Sequence, residues 1–309
     1  MKMKIAIVGS MNMDMILHAD RIPLKGETIH GKSIEYQPGG KGANQAAAIA
    51  KLGGDVTMFG CVGNDAAGRQ LIDNLMECGV NTSYIEILEN VPTGQAVIMI
   101  GESDNSIIII AGANDRVDIS YVEKHRKEIL EADIVVLQNE IPEETVWYTI
   151  RMCHEENKII VWNPAPARKA EPEIIDMVTY ITPNEHEVGI IWEKKPEEIA
   201  DLQKQYREKL IVTQGEKGVS VSADGEQITT IPAMQVEVVD TTGAGDTLNG
   251  AFCVGIADGM DEIQALGFAN VAAGLSVKKC GAQKGMPCRE EVEEIVAVQR
   301  RALHLLQSP

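Results

Sequence analysis

Asp240-Thr241-Thr242-Gly243-Ala244-Gly245-Asp246 sets two carboxylates and three small residues where an extended run, Gln235 to Val239, gives way to an apolar helical pattern from about Thr247. Gly243, Ala244 and Gly245 let backbone amides approach a ligand without side-chain interference. A helix start adds free N–H donors and the positive end of its dipole, which together suit a phosphate. A carboxylate at that mouth repels phosphate unless it takes part in the chemistry. Asp246 fits a general base that removes the proton of a hydroxyl attacking phosphorus, with the amides of residues 243–246 as an anion hole. A simple helix cap would use the same residue, so the motif alone leaves both readings open.

A second glycine-rich turn, Gly39-Gly40-Lys41-Gly42-Ala43-Asn44, opens a helical pattern from Asn44 to Leu52. Together with Asp240 to Gly250 it resembles the ribokinase-like, or pfkB, family of carbohydrate kinases. The wording Gly-Ser-Met-Asn-Met-Asp at 9–14 carries the same likeness, which runs from the first strand to roughly Arg289. The resemblance implies a three-layer α/β/α fold with a mostly parallel central sheet and a small β-sheet lid. It also implies ATP-dependent phosphorylation of a small sugar, D-ribose at its 5-hydroxyl, giving ribose 5-phosphate.

Asn12 and Asp14 stand two apart at a strand end, so both face one side if the backbone stays extended. By resemblance they hold sugar hydroxyls with Gly40, Lys41, Asn44 and Glu140, beside Asp246. A carboxylate accepts two donors and an amide both donates and accepts, which suits vicinal hydroxyls. The resemblance further gives the nucleotide to Asn184, Thr213, Gly215, Gly218, Gly245 and Asn270, and Mg²⁺ to Asn184 and Glu187 through water. A K⁺ or other monovalent-cation site is implied at Asp240, Thr242, Ser276, Lys279, Gly281 and Gly285. At Gly285 the chain departs from the pattern, because a serine often supplies a ligand there.

Elements able to position these residues are legible as short β-rich runs alternating with helical patterns, the mark of a parallel sheet covered on both faces. Expected strands are Ile5–Val8, Thr57–Cys61, Ile134–Gln138, Ile159–Trp162, Tyr180–Thr182 and Leu210–Thr213. Expected helices are 44–52, 67–78, 120–131, 143–155, 196–209, 247–257, 262–279 and 289–306. Polar residues follow several strands, among them Asn12, Asn139, Glu140, Asn163, Asn184 and Thr213. In open parallel sheets, ligands bind beyond such carboxyl ends. Residues 12–38 and 92–111 break the alternation with strand-like composition and no helix, including a hairpin around Glu102-Ser103-Asp104-Asn105. They are expected to form a discontinuous β-lid beside an α/β domain of residues 1–11, 39–91 and 112–309. The apolar run Ile107–Ile110 fits either packing on the chain's own α/β domain or contact with another subunit, and the resemblance implies a lid-to-lid homodimer.

Gly26-Glu27-Thr28-Ile29-His30-Gly31-Lys32-Ser33 matches the P-loop pattern, but no buried strand precedes it and the extended Ile34 to Pro38 follows. A P-loop needs a helix there to wrap phosphate, so a lid strand is the expectation. Neither Gly39-Gly40-Lys41-Gly42 nor Gly9-Ser10-Met11-Asn12 after the first strand has the GxGxxG spacing of a dinucleotide site.

The formal charge of −18 over 309 residues argues against nucleic acid or an anionic membrane as partner. No apolar run reaches membrane length, and Met1-Lys2-Met3-Lys4 leads directly into a strand, so a cytoplasmic protein is expected. The six cysteines form no CxxC pair and mostly fall in apolar segments; they read as buried thiols. Two other classes stay open. One is a related kinase for fructose, 2-deoxyribose, a ketodeoxy sugar acid or a nucleoside. The other is a non-catalytic sugar-binding regulator on the same fold.

Overall fold

The computed structural model describes residues 2–101 and 104–307. Its centre is a parallel sheet of six strands, in the order β10-β9-β8-β1-β4-β5. These are β1 (Lys4–Val8), β4 (Asp55–Gly63), β5 (Asn81–Leu88), β8 (Ile134–Gln138), β9 (Ile159–Asn163) and β10 (Tyr180–Ile181). Strands buried on both faces read as continuous apolar runs. Accordingly Ile5 to Val8 and Ile134 to Leu137 are all fully buried.

The period of two then splits each run between two cores. Ile5, Ile7, Ile134 and Val136 pack on one side with the helices Lys41–Lys51, Ala244–Ala257 and Glu262–Ser276. Ala6, Val8, Val135 and Leu137 pack on the other with the helix Glu143–Glu155 and its neighbours. The result is the three-layer α/β/α architecture. Beyond β10, the pairing of Ile181 with Leu210 leads into a small antiparallel sheet of β11 (Val212–Thr213), β12 (Val219–Val221) and β13 (Thr229–Ile231).

A separate four-stranded sheet has the order β3-β2-β6-β7, with β2 (Asn12–Ala19), β3 (Gly31–Gly39), β6 (Gly94–Gly101) and β7 (Asp104–Ile110). The hairpin β6–β7 pairs Ile98 with Ile107; of its expected tip, Glu102 and Ser103 lie outside the described residues. Lys32 and Ser33, the end of the P-loop match, sit inside β3, where Ser33 pairs with His18 of β2 and Lys32 falls at a register shift, so no helix follows them. Ile107 to Ile110 are each about half exposed, at 54%, 56%, 46% and 49%, so this edge strand is not covered by the chain's own α/β layers.

Most expected boundaries differ by a few residues. Larger differences have local causes. The helix expected over 120–131 is interrupted at His125, whose ring lies against Tyr121 and Tyr84 and whose Nε2 is 3.0 Å from Glu86. Strand β5 begins with Asn-Thr-Ser, which reads as a turn, and it is a partly exposed edge strand. Gln235 to Val239 joins no ladder. The cysteine expectation needs correction too: Cys61, Cys153 and Cys253 are buried, but Cys280 and Cys288 are exposed, beyond the last apolar helix face.

Candidate active site

The turn after β1 and the start of the helix Lys41–Lys51 are built into each other. Gly40 has φ +87°, and a Cβ on it would lie 2.6 Å from the Asn12 amide nitrogen, so only glycine brings the turn this close. Ser10 completes the junction: its carbonyl accepts from Ala43 N at 2.9 Å and its hydroxyl from Gly42 N at 3.3 Å. Glu140, just past β8, collects three donors on one oxygen: Ser10 Oγ at 2.6 Å, Lys41 N at 3.0 Å and Asn12 Nδ2 at 3.5 Å. Asn114 is buried and fixes the other end of Asn12 by donating to its Oδ1 at 2.8 Å.

Asp14 follows Asn12 on the same strand. Burial, then the nearby carboxylates of Glu140 and Asp246, push its pKa up to about 7 against the opposing pull of Lys41. Burial alone would lower the pKa of Lys41, but Asp246, Glu140, Glu187 and Asp14 surround it and hold it above the usual lysine value. One ammonium thus sits among four carboxylates, a strongly polar floor fit for a polyol.

Asp246 lies in the first turn of the helix Ala244–Ala257 and is 6% exposed. Asn44 Nδ2 donates to its Oδ2 at 2.9 Å and Gln45 Nε2 to its Oδ1 at 3.0 Å. The first i to i−4 bond of that helix runs from Thr247 N to Gly243 O, so the Gly245 and Asp246 amides precede the ladder. Ala244 N instead donates to Thr241 O at 3.2 Å.

On the far side of these amides lies a groove of about 490 Å³. Met234, Val236, Leu248 and Val277 give it apolar walls, and Thr213, Gly215, Gly218 and Asn270 line it as well. Ala244 and Gly245 belong to the same lining, so the groove opens onto the helix start beside Asp246. Asn270 donates an amide hydrogen to Pro232 O, at 2.6 Å, and so buttresses the segment that follows β13. Asn184 caps the helix Glu185–Trp192 by accepting from Glu187 N, while Glu187 accepts from Asn184 N, both at 2.8 Å. This reciprocal cap leaves the Asn184 amide hydrogens and one Glu187 oxygen for a ligand. Burial raises the Glu187 pKa, against its hydrogen bond from Asn184 and the charge of Lys41.

Asp240 accepts from Thr242 N at 2.9 Å and from Gly281 N at 2.8 Å. Burial would raise its pKa, but these hydrogen bonds outweigh it and hold the carboxyl below its ordinary value. Gly285 faces two carbonyls: a Cβ there would lie 2.6 Å from Ser276 O and 3.2 Å from Lys279 O. Oxygens of Asp240, Ser276 and Lys279 therefore gather around one loop, whereas the Lys279 side chain turns out to Glu291.

Asn12, Asp14, Lys41, Asn44, Glu140 and Asp246 thus meet in one cluster, with Asn184, Thr213 and the groove adjoining it. The residues that sequence reasoning passed over are Ser10, Gln45, Asn114, Gln138 and Gln283. Gln45 was detectable, because it is the one large polar residue in the run Ala-Asn-Gln-Ala-Ala-Ala-Ile-Ala after Asn44. Gln283 donates to Asn44 Oδ1 at 3.0 Å across 239 positions of sequence, and no local signal marks it.

A family profile described as pfkB family carbohydrate kinase matches residues 2–289. The chain is similar to the ribokinase of Bacillus subtilis, at 47% identity over 95% of this chain and 99% of that protein. It is also similar to the ribokinase of Lactococcus lactis, at 44% identity over 94% and 96%. Among solved structures, Arabidopsis thaliana ribokinase complexed with ribose and ATP superposes with a TM-score of 0.86, at 33% identity over 95% of this chain and 98% of that one.

Proposed function

The chain belongs to the pfkB family of carbohydrate kinases, and from that premise we propose that it transfers the γ-phosphoryl group of ATP to the 5-hydroxyl of D-ribose. One observation carries the assignment to this site: a buried carboxylate, Asp246, shares a helix start with amides that lie outside the helical ladder. Sugar-binding chemistry adjoins it on one side and a long apolar groove on the other.

In this reading ribose lies on Asn12, Asp14, Gly40, Lys41, Asn44 and Glu140. Adenine and ribose of ATP occupy the groove by Thr213, Gly215, Gly218 and Asn270, and the phosphates run to Asn184 and Gly245. Asp246 removes the proton of the 5-hydroxyl as that oxygen forms its bond to the γ-phosphorus. The bond from γ-phosphorus to the bridging oxygen breaks, ADP leaves, and the amides of Gly245 and Asp246 meet the developing charge. The four-stranded sheet, residues 12–38 and 92–111, acts as a lid on the α/β domain and excludes water from the reacting phosphate.

The donor set suits magnesium, which keeps several waters and seldom takes an all-protein cage. Among the described residues no group of three His, Cys, Asp or Glu could hold a metal alone. Asn184 and Glu187 would hold Mg²⁺ through water and phosphate oxygens, where it neutralises triphosphate charge. Asp240 and the carbonyls of Thr242, Ser276, Lys279, Gly281 and Gly285 would hold K⁺, and the convergence on Gly285 supports this. The exposed isoleucines of β7 support a homodimer through the lid. No helix among the described residues is long and apolar enough to cross a membrane.

The test is ADP release with a panel of pentoses and hexoses, with and without K⁺. Ribose is expected to give the highest kcat/KM. Preference for deoxyribose, fructose or a nucleoside would reassign the substrate, and tight sugar binding without ATP consumption would make the protein a regulator.

A further inference from the structure

The base is held by amides that the reaction scheme does not use. Gln45 is fully buried on the helix Lys41–Lys51. Its Nε2 donates to Asp246 Oδ1 at 3.0 Å and to Asn163 Oδ1 at 3.2 Å, and its Oε1 accepts from Gln138 Nε2 at 2.7 Å. Gln138 ends β8, is also fully buried, and its own Oε1 has no hydrogen-bond partner.

The polarity of this chain is forced. A carboxylate only accepts, so the nitrogen of Gln45 must face Asp246, its oxygen must face Gln138, and the nitrogen of Gln138 must point inward. Rotating Gln45 by half a turn would set oxygen against oxygen at Asp246 and Asn163 and nitrogen against nitrogen at Gln138. Leaving the Gln138 carbonyl buried and unpaired is costly, and a lone structural amide at this place would not require it. Asn44 grips the other Asp246 oxygen but is assigned to the sugar as well, whereas the hydrogen bonds of Gln45 run to the base and to interior amides.

We propose that Gln45, locked by Gln138, is the positioning residue of the catalytic base and fixes the plane of the Asp246 carboxylate against the acceptor hydroxyl. This rests on the phosphoryl-transfer reading above. The charged groups facing Asp246 are Lys41, Asp14 and Glu187. All three stay in place in the variants below, so a changed pH profile reports the lost donor.

The experiment measures kcat, both KM values and the pH profile for the full chain, Gln45→Met and Gln138→Met. Gln45→Met is expected to lower kcat by roughly ten- to hundredfold, the scale of a misplaced catalytic group. KM for ribose and ATP should stay near the parent values. The acid limb of kcat should move to higher pH, because an ionised carboxylate has lost a hydrogen-bond donor. Gln138→Met reaches Asp246 only through Gln45 and should give the same shifts at smaller size; it decides the matter if Gln45→Met does not fold. A folded variant with parental kcat and acid limb overturns the inference, and so does a raised KM at constant kcat. Absence of turnover by the parent chain with every sugar would instead remove the kinase reading itself.

Discussion

Asn44 Nδ2 and Asp246 Oδ2 stand 2.9 Å apart although 202 positions separate them in sequence. This contact joins the two glycine-rich turns into a single site. It also makes Asp246 largely separable from the fold, because an amide at 246 could still accept from Asn44 on its oxygen, although its nitrogen would then face the Gln45 Nε2 donor. Asp246→Asn is expected to fold normally and bind ATP while losing about two to four orders of magnitude in kcat, the range typical of a general base. Calorimetric ATP binding beside steady-state ADP release checks it; parental turnover would strip Asp246 of its role.

Gly245 offers a cleaner separation of stability from activity. A Cβ there meets nothing within 4 Å, so alanine fits. Replacing glycine by alanine in a helix is worth roughly 0.5–1 kcal/mol. The same methyl stands in the groove lining, where the proposed path of the phosphates passes closest to the backbone. Gly245→Ala should therefore unfold at an equal or higher temperature and yet raise KM for ATP and lower kcat. A thermal melt and an ATP titration on one preparation are enough.

Asp14 predicts a pH dependence with a definite sign. Its folded pKa of about 7 lies above the ordinary 3.8, chiefly through burial. Folding with Asp14 therefore grows less favourable as pH rises from about 4 to about 7, where the buried group ionises, and the loss is complete above that. Asp14→Asn should stabilise the ligand-free protein more at pH 8 than at pH 5. Ribose binding should show the opposite demand, since the carboxylate accepts hydroxyls: kcat/KM for ribose falls below about pH 7 in the parent. Equal stabilisation at both pH values would remove the burial argument.

Asp240 ties the segment before the anion hole to Gly281 through one carboxylate. Asp240→Ala is expected to abolish the rate difference between K⁺ and tetramethylammonium buffers and to lower kcat about tenfold or more through disordered amides. A variant that still responds to K⁺ would move the cation elsewhere.

Ile108 and Ile110 are exposed on the edge strand β7. The proposed lid-to-lid dimer predicts that the double substitution Ile108→Lys, Ile110→Lys leaves circular dichroism unchanged and sediments as a monomer where the parent sediments as a dimer. A monomeric parent would dissociate this face from assembly.

What could be read from sequence divides along physical lines. The layered fold was legible because strands such as Ile134–Leu137, buried on both faces, announce themselves by composition, and Asp246 by the small residues around it. The reciprocal cap of Asn184 and Glu187 was not read, because no helix was expected over 185–192 and the pair was assigned to magnesium. The amide network around Asp246 was only partly legible: Gln45 stands out as a large polar residue in an apolar run, but Gln138 and Gln283 converge on that helix from distant segments with no local signal. Edge strand β5 escaped for a related reason: with one side open, its side chains need not be apolar.

Asn12 is both the first residue of β2 and a member of the cluster around Glu140, and Gly39, its partner across the ladder, leads directly into Gly40 and Lys41. If the four-stranded sheet swings as the proposed lid, Asn12 and the Gly39–Lys41 junction must travel with it, so the cover and the proposed grip on the sugar would work as one lever rather than as a door closing over a finished room.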